Sequence, residues 1–515
     1  MGDREYLLGI DVGTSGSKGV IVDLTGRVVA FTSVDHGVDT PRPGWYEHDA
    51  DAIWWTDLKT ITRVLIAEGH VEPGAIAAVG VSALRPDMLP VDDNGTPLRK
   101  AILYCDGRAK MQIDQIAREL ADRAPSQVSA KSLSTHFSGP KILWFRQNEP
   151  TLYERTARIH TGSSYLVFKL TGESRVSFGE AMGYAPLFDA QRMEWDQDIC
   201  GRLDLPVALL PSVGWATDVA GGVSAEAARE TGLVEGTPVI IGTGDAMAET
   251  LSVGAVLEGD AALLYGSTMV LAVMGSERFA RRCAELARPG PMPGTHMVIT
   301  AMSTSGALTT WFRDNFAQAE QEAEARLGTN AYQLLNDQAD QVPPGSEGLI
   351  VLPYFAGERG PIWDSQARGL MIGLTLSHTR KHVYRALLEG VAYGLRQNVE
   401  ILEERGAVIK RIVSTGGGTR SRLWPQIVSD VLGKDQEVIV NPIGAPYGDA
   451  FLAGYGVGVL DDPASLHEQW APEASIIRCE PETTAVYDRY YRVYCDLYDQ
   501  NKDSMHALAE LSTLV

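Results

Sequence analysis

Three short stretches of this 515-residue chain set glycine, hydroxyl and carboxylate side chains directly after an apolar run. The first is Asp11-Val-Gly-Thr-Ser-Gly-Ser-Lys18. Its glycines allow a ligand close to the backbone, while Thr14, Ser15, Ser17 and Lys18 supply donors and charge. The second is Ile240-Ile-Gly-Thr-Gly-Asp-Ala-Met-Ala-Glu249, which carries Asp245 just past two glycines where a helix should start. The third, Ser414-Thr-Gly-Gly-Gly-Thr-Arg-Ser-Arg-Leu-Trp424, puts three glycines between a strand and a helix. Together they supply what phosphoryl transfer asks of a protein: amides and hydroxyls around phosphates, a carboxylate to anchor a metal ion, and a group that accepts the nucleophile's proton.

Each stretch also has a plainer structural reading. Asp11 can cap an ordinary tight hairpin, and Asp245 can be a helix N-cap. The first stretch is not a P-loop, because the Gly-Lys-Ser/Thr ending is absent. The glycine triplet is harder to assign to packing, since each glycine lowers local stability; it suits a nucleotide base or ribose against bare backbone. Ser303-Thr-Ser-Gly-Ala-Leu308 is a weaker stretch of the same kind.

The elements that must position these residues alternate between strand and helix, which predicts an α/β protein. Residues 6–12, 19–23 and 27–31 read as a hairpin meander, 52–68 as a helix, and 75–82, 101–104 and 237–241 as further strands. A second strand-turn-strand at 261–274 carries Gly266-Ser267-Thr268, resembling Gly13-Thr14-Ser15, so a half-length duplication is expected. The boundary falls near 251–260, giving domains 1–252 and 253–515. Residues 381–404 and 423–432 read as helices, and 481–514 as a peripheral helical tail.

Length alone argues for two large domains. With a formal net charge of -21, neither nucleic acid nor an anionic membrane is expected as a main partner. Residues 1–5 are polar, no secretion signal is read, and no apolar run is long enough for a membrane helix. Five scattered cysteines without metal spacing point to a reduced, cytoplasmic protein.

Two longer stretches complete a pattern: His136-Phe-Ser-Gly-Pro-Lys-Ile-Leu-Trp-Phe145, and Gly369-Leu-Met-Ile-Gly-Leu374 with His382-Val383 and Ala386-Leu-Leu-Glu389. With Gly244-Asp245, the triplet Gly416 to Gly418 and Ala445-Pro-Tyr-Gly-Asp-Ala450 in the same order, the chain resembles the FGGY carbohydrate kinases from Ile10 to about Gly456. That resemblance implies two ribonuclease-H-like domains of the actin and heat-shock-chaperone ATPase type, closing over sugar and ATP in a cleft. It implies Asp245 as catalytic base and Asp11 as a Mg²⁺ holder. Thr14, Ser15, Lys18, Ser267 and Thr268 would lie along the phosphates, with Gly306 close by and Gly417, Gly418 and Ser421 bordering the adenosine. The first domain would bind sugar and carry the base, and the second would bind the nucleotide.

The sugar side departs from the family's best-known patterns. Glycerol kinases carry Gln-Arg-Glu and xylulokinases Gln-Met-His where this chain has Leu84-Arg85-Pro86. Losing that glutamate disfavours glycerol. Ile102-Leu-Tyr-Cys-Asp-Gly-Arg108 resembles the xylulokinase Trp-x-Asp-x-Arg stretch, so Asp106 and Arg108 are expected to meet sugar hydroxyls, the plain alternative being a surface ion pair. Arg85, Asp87 and His136 join Asp245 as pocket residues. The resemblance implies ATP-dependent phosphorylation of a small sugar, a pentulose such as D-xylulose first. Ribulose, fuculose, erythritol or glycerol are the alternatives, as is a catalytically silent nucleotide-binding regulator. ATP and Mg²⁺ are the expected cofactors, and a homodimer is allowed but not required.

Overall fold

A computed structural model describes residues 4–121, 133–283 and 286–512. The chain forms two compact units, Met1–Val256 with Ala287–His296 and Ile443–Ala471, and Leu257–Leu286 with Met297–Pro442 and Pro472–Val515. A single cut at 252/253 therefore does not describe the chain, because the segments at 287–296 and 443–471 pack with the first unit.

The first unit is built on a mixed sheet. Tyr6–Val12, Gly16–Asp23 and Val28–Asp35 form the expected antiparallel meander. Ile76–Ala83 lies parallel to Tyr6–Val12, Pro238–Ile240 parallel to Ile76–Ala83, and Val219–Gly222 antiparallel at the edge. Side chains alternate across this sheet. Leu8, Ile10 and Val12 face a core shared with Leu58, Ile61 and Leu65 of the helix Thr56–Glu68, while Leu7 faces Phe451 and Leu452 of the helix Ala445–Gly456. Gly9 and Asp11 share the Leu7 side. A separate core gathers Met88, Ile102, Phe145, Tyr184 and Trp195.

The helix Ala445–Gly456 lies almost on the sheet's backbone. A Cβ on Gly9 would stand 1.8 Å from the Pro446 carbonyl oxygen, and one on Gly80, its cross-strand partner, 2.1 Å from the Asp449 carbonyl oxygen. A Cβ on Gly448 would stand 2.2 Å from the Ala248 carbonyl oxygen, so the same helix is clamped against Asp245–Ser252. No side chain fits in these gaps.

In the second unit, His296–Met302, Met269–Gly275, Asp260–Tyr265, Arg411–Thr415, Gln436–Ile439 and Ala474–Ile477 follow one another across a sheet. Asp260–Tyr265 is antiparallel to Met269–Gly275 and parallel to Arg411–Thr415, which is parallel to Gln436–Ile439, with Ala474–Ile477 antiparallel at the edge. The strand order repeats that of the first unit, with the glycine-hydroxyl hairpin in the corresponding central position each time. The duplication expected from the turns is thus written in the topology.

Arg380–Glu404 and Leu423–Leu432 are helices as expected. The tail helix Pro481–Ser512 is not peripheral. It buries Tyr487, Tyr491, Tyr494 and Leu497, and the Tyr487 hydroxyl joins a buried network in which Arg385 donates to Glu389 at 2.8 Å and Ser346 donates to the same carboxylate at 2.8 Å. Among the described residues no helix is long and apolar enough to cross a membrane.

Gly9→Ala is expected to lower unfolding free energy by about 3 kcal/mol or more, because backbone rather than a flexible side chain must move. Gly37→Ala, where an added Cβ meets nothing within 4 Å, serves as the near-neutral control. Equal denaturation midpoints for the two variants would refute the clamp.

Candidate active site

Asp245 is the first residue inside its helix; Gly244, with φ -82° and ψ 156°, takes the N-cap position. The carboxylate is therefore not a cap, although its Oδ1 accepts the Ala246 N–H at 2.7 Å. Burial raises its pKa above the usual carboxylate range, while that N–H and the Arg85 charge pull it back. A raised pKa makes the group a better proton acceptor than an ordinary carboxylate.

Asp11 sits near the end of the first strand, on the face covered by Ala445–Gly456, and is not tied to its hairpin. Burial, then the Asp245 charge, push its pKa up to about 7. One serine hydroxyl stands between Asp11 and Asp449, 2.8 Å from Oδ1 of the first and 2.6 Å from Oδ2 of the second. That hydroxyl, on Ser82, has one hydrogen, so it donates to one of the two carboxyls at a time. Burial first, then the Asp11 charge, drive the pKa of Asp449 well above the usual carboxylate range. Glu249, one turn beyond Asp245, is likewise pushed up by burial and drawn down by Lys18.

The turn after Asp11 is held by Gly13 donating to the Gly16 carbonyl at 3.0 Å and by His36, which bridges the Gly13 carbonyl and Asp57. Ser17 is buried and donates to Asp57 at 2.7 Å, so it is committed to the turn rather than to a ligand. Thr14 is half-buried within 3.4 Å of the Tyr104 hydroxyl; Ser15 and Lys18 are exposed.

Arg85 runs past the start of the Asp245 helix: a Cβ on Gly244 would stand 2.0 Å from its Cδ. Its Nη1 donates to the Gly179 carbonyl at 2.9 Å. Asp87 is fully buried, accepts the Tyr104 N–H at 3.1 Å through Oδ1, and has an unpartnered Oδ2. Burial raises its pKa, opposed by Lys141. Lys141, from the His136–Phe145 stretch, donates to the His136 carbonyl at 2.7 Å and the Pro86 carbonyl at 3.3 Å, while Ser138 donates to the Asp87 carbonyl at 2.7 Å. That stretch thus fastens the Arg85-Pro86-Asp87 loop. The exposed His136 ring meets Tyr104 edge-on at 5.6 Å.

Asp106 and Arg108 pair as the plain reading held, but in the interior rather than on the surface. Asp106 accepts the Tyr46 and Arg108 N–H groups, and Arg108 Nη2 lies 2.7 Å from it and 2.8 Å from Glu47. The guanidinium is stacked 3.9 Å over Trp45. Both side chains are fully buried, and Arg108 Nη1 has no hydrogen-bond partner.

In the second unit a cavity of about 840 Å³ is lined by Ser267, Gly306, Gly417, Gly418 and Ser421 together with Tyr265, Asn330, Tyr332 and Trp424. Thr268 is not in its wall. Gly306 and Ala307 donate their N–H groups to the carbonyls of Gly266 and Ser267, and a Cβ on Gly306 would lie 2.6 Å from the Gly266 oxygen. The triplet divides by role. Gly416, at φ 107°, and Gly418 are needed for packing against Tyr265 and Trp424, and only Gly417 faces open space. Tyr332 and Asn330, at the start of the helix Ala331–Asp340, were not singled out from sequence; a helix start with an aromatic is too common a pattern to mark a pocket.

Sheet topology repeated in two units, a carboxylate of raised pKa in one and a cavity of about 840 Å³ in the other fit a two-domain ATPase fold. The N-terminal domain of the FGGY family of carbohydrate kinases matches residues 6–252 and the C-terminal domain residues 261–457. The chain belongs to this family and is an ATP-dependent carbohydrate kinase. It is 28% identical to a xylulose kinase of Lactococcus lactis over 98% of this chain and 99% of that protein, and 28% identical to a gluconokinase of Bacillus subtilis over 88% of each. The crystal structure of a xylulose kinase from Rhodospirillum rubrum superposes with a TM-score of 0.86 at 29% identity, covering 97% of this chain and 100% of that one.

With a folded pKa above the ordinary value of about 3.9, Asp449 holds a proton that the unfolded chain releases, so its contribution to stability falls as pH rises through that interval. Asp449→Asn, which keeps a neutral donor, is expected to stay within about 1 kcal/mol of wild type at pH 5 and to gain on it toward pH 8. Chemical denaturation at the two pH values checks this; an Asn variant losing ground as pH rises would mean an ionised Asp449.

Proposed function

We propose that the chain transfers the γ-phosphoryl group of ATP to a hydroxyl of a small open-chain sugar of pentulose size, with Asp245 as general base. The observation that carries this is the Asp245 carboxylate, raised in pKa by burial at the first turn of its helix, with Arg85 alongside. In the step, the acceptor oxygen forms a bond to the γ-phosphorus, the bond to the ADP oxygen breaks, and the hydroxyl proton passes to Asp245. Arg85 and the neighbouring backbone orient the acceptor, and positioning supplies much of the remaining acceleration.

Asp11 is a hard oxygen donor of the kind Mg²⁺ takes, near enough to Asp245 and Glu249 for their charges to act on it. Asp11 would hold the ion, which when bound neutralises phosphate charge. Thr14, Ser15 and Lys18 in the first unit, and Ser267, Thr268 and Gly306 in the second, are the proposed phosphate contacts. Gly417, Gly418 and Ser421 are those for the adenosine. D-xylulose is the first acceptor to try, given the names of the relatives. A reduced, cytoplasmic setting is proposed for its five scattered cysteines.

Asp245→Asn is expected to lower kcat by about 10²–10⁴-fold while leaving ATP affinity within a few-fold. A coupled ADP-release assay over D-xylulose, the ribuloses, fuculose, erythritol, glycerol and gluconate reads both rate and acceptor. Near-normal turnover by the variant would remove Asp245 from the role of base.

A further inference from the structure

Two buried polar side chains open onto the cavity of the second unit without a partner. Several others in its wall are committed. Tyr265 donates to Gln436 at 2.8 Å, Thr309 to the Gly306 carbonyl at 2.8 Å, and Gln333 to Asp337 at 2.7 Å. The Thr310 hydroxyl meets that of Tyr332 at 3.0 Å. Trp424 Nε1 and Thr329 Oγ1 are unbonded but closed off inside the wall. Asn336 and Tyr384 differ from all of these. Both line the cavity, Asn336 is 8% exposed and Tyr384 2%, and neither side chain has a hydrogen-bond partner among the described residues.

Asn336 stands four residues after Tyr332, so both reach the cavity from one face of the helix Ala331–Asp340. Tyr384 comes from the start of Arg380–Glu404, its ring 5.1 Å from that of Phe312. A carboxamide withdrawn from water without a partner is costly, and a helix position this enclosed is ordinarily apolar. A ligand that completes the carboxamide removes the cost. Arg420 is the one cation among the described lining residues and is exposed, so the recess at Asn336 is not built for a phosphate. Aromatic rings from Tyr265, Tyr332, Tyr384 and Trp424 suit a flat heterocycle instead. A carboxamide sets an acceptor beside donors, and adenine sets a donor at N6 beside an acceptor at N7, so the two form a bidentate pair. A 6-oxopurine offers acceptors at both places and leaves the carboxamide oxygen unpaired.

We infer that Asn336 is the residue that selects the base of the nucleotide, donating from Nδ2 to N7 and accepting the 6-amino group through Oδ1, with Tyr384 closing the same recess. The inference rests on the reading above that this cavity holds the adenosine. It places base selection on the helix Ala331–Asp340, apart from the glycine triplet.

Isothermal titration of the full-length protein with ADP, IDP and 7-deaza-ADP reads the pairing without any sugar acceptor. IDP carries an oxo group in place of the 6-amino group, and 7-deaza-ADP carries a C–H in place of N7. ADP is expected to bind about tenfold or more tightly than IDP, and about fivefold more tightly than 7-deaza-ADP, the sizes of a bidentate pair and of a single hydrogen bond. In Asn336→Leu, which keeps the volume, both ratios should fall to within about twofold. Melting curves establish that the variant is folded, and Asn336→Ala repeats the test if it is not. IDP binding the wild type as tightly as ADP, 7-deaza-ADP losing nothing, or ratios unchanged in the variants would overturn the inference. Gly417→Val tests the reading beneath it. Gly417 faces open space in the cavity wall, so the valine should weaken ADP binding by about tenfold or more. Unchanged ADP affinity in that variant would take the adenosine out of the cavity, and base selection by Asn336 with it. Weakened ADP affinity there, with unchanged ratios in Asn336→Leu, would refute the role of Asn336 alone.

Discussion

The backbone-to-backbone contact of Ala445–Gly456 with the first unit's sheet is the constraint on which the site depends. Gly9 and Gly80 leave the sheet surface bare at adjacent positions, and Gly448 leaves the helix bare toward Ala248. Because these contacts admit no side chain, the spacing between sheet, helix and the Asp245 helix is set by main chain, which deforms little. The consequence is electrostatic. Asp449 is brought against Ser82 and Asp11, and Glu249 accepts from the Ala445 N–H at the start of the same helix.

Packing carboxylates this closely has a cost that the protein meets by protonation and by shared donors rather than by ion pairs. A single serine hydroxyl stands between Asp11 and Asp449, and Lys18 and Arg85 act on the group as cations. Low dielectric makes each of these interactions stronger than it would be in water. The arrangement concentrates negative charge around Asp11 and Asp245.

The second unit solves a different problem, that of offering a flat, half-apolar slot. Tyr265 and Trp424 pack edge-on at 5.6 Å, and the glycines at 416 and 418 let the chain pass them closely. The turn at Gly266 is bonded to the first turn of Gly306–Phe316, so hairpin and helix start move as one piece. Tyrosines of the tail helix brace the long helix Arg380–Glu404 through Arg385 and Glu389, which accounts for those signature residues as structural rather than catalytic.

Local order was legible in the sequence wherever one short stretch carries its own reason. Strand and turn signals marked the meander, helical spacing marked the helix at 52–68, residues 381–404 and 423–432 read as helices, and glycine with hydroxyl marked both hairpin turns. Asp11 and Asp245 took their expected roles from the family resemblance, since taken alone each could be a cap. What only the tertiary structure decided depends on partners distant in the chain. The pairing of Asp106 and Arg108 became a buried, stacked ion pair through Glu47 and Trp45. The assignment of Gly416 and Gly418 to packing required Tyr265 and Trp424 in place. Periodicity and turn chemistry act over a few residues, whereas burial and charge coupling arise only when segments far apart in sequence share one dry interior.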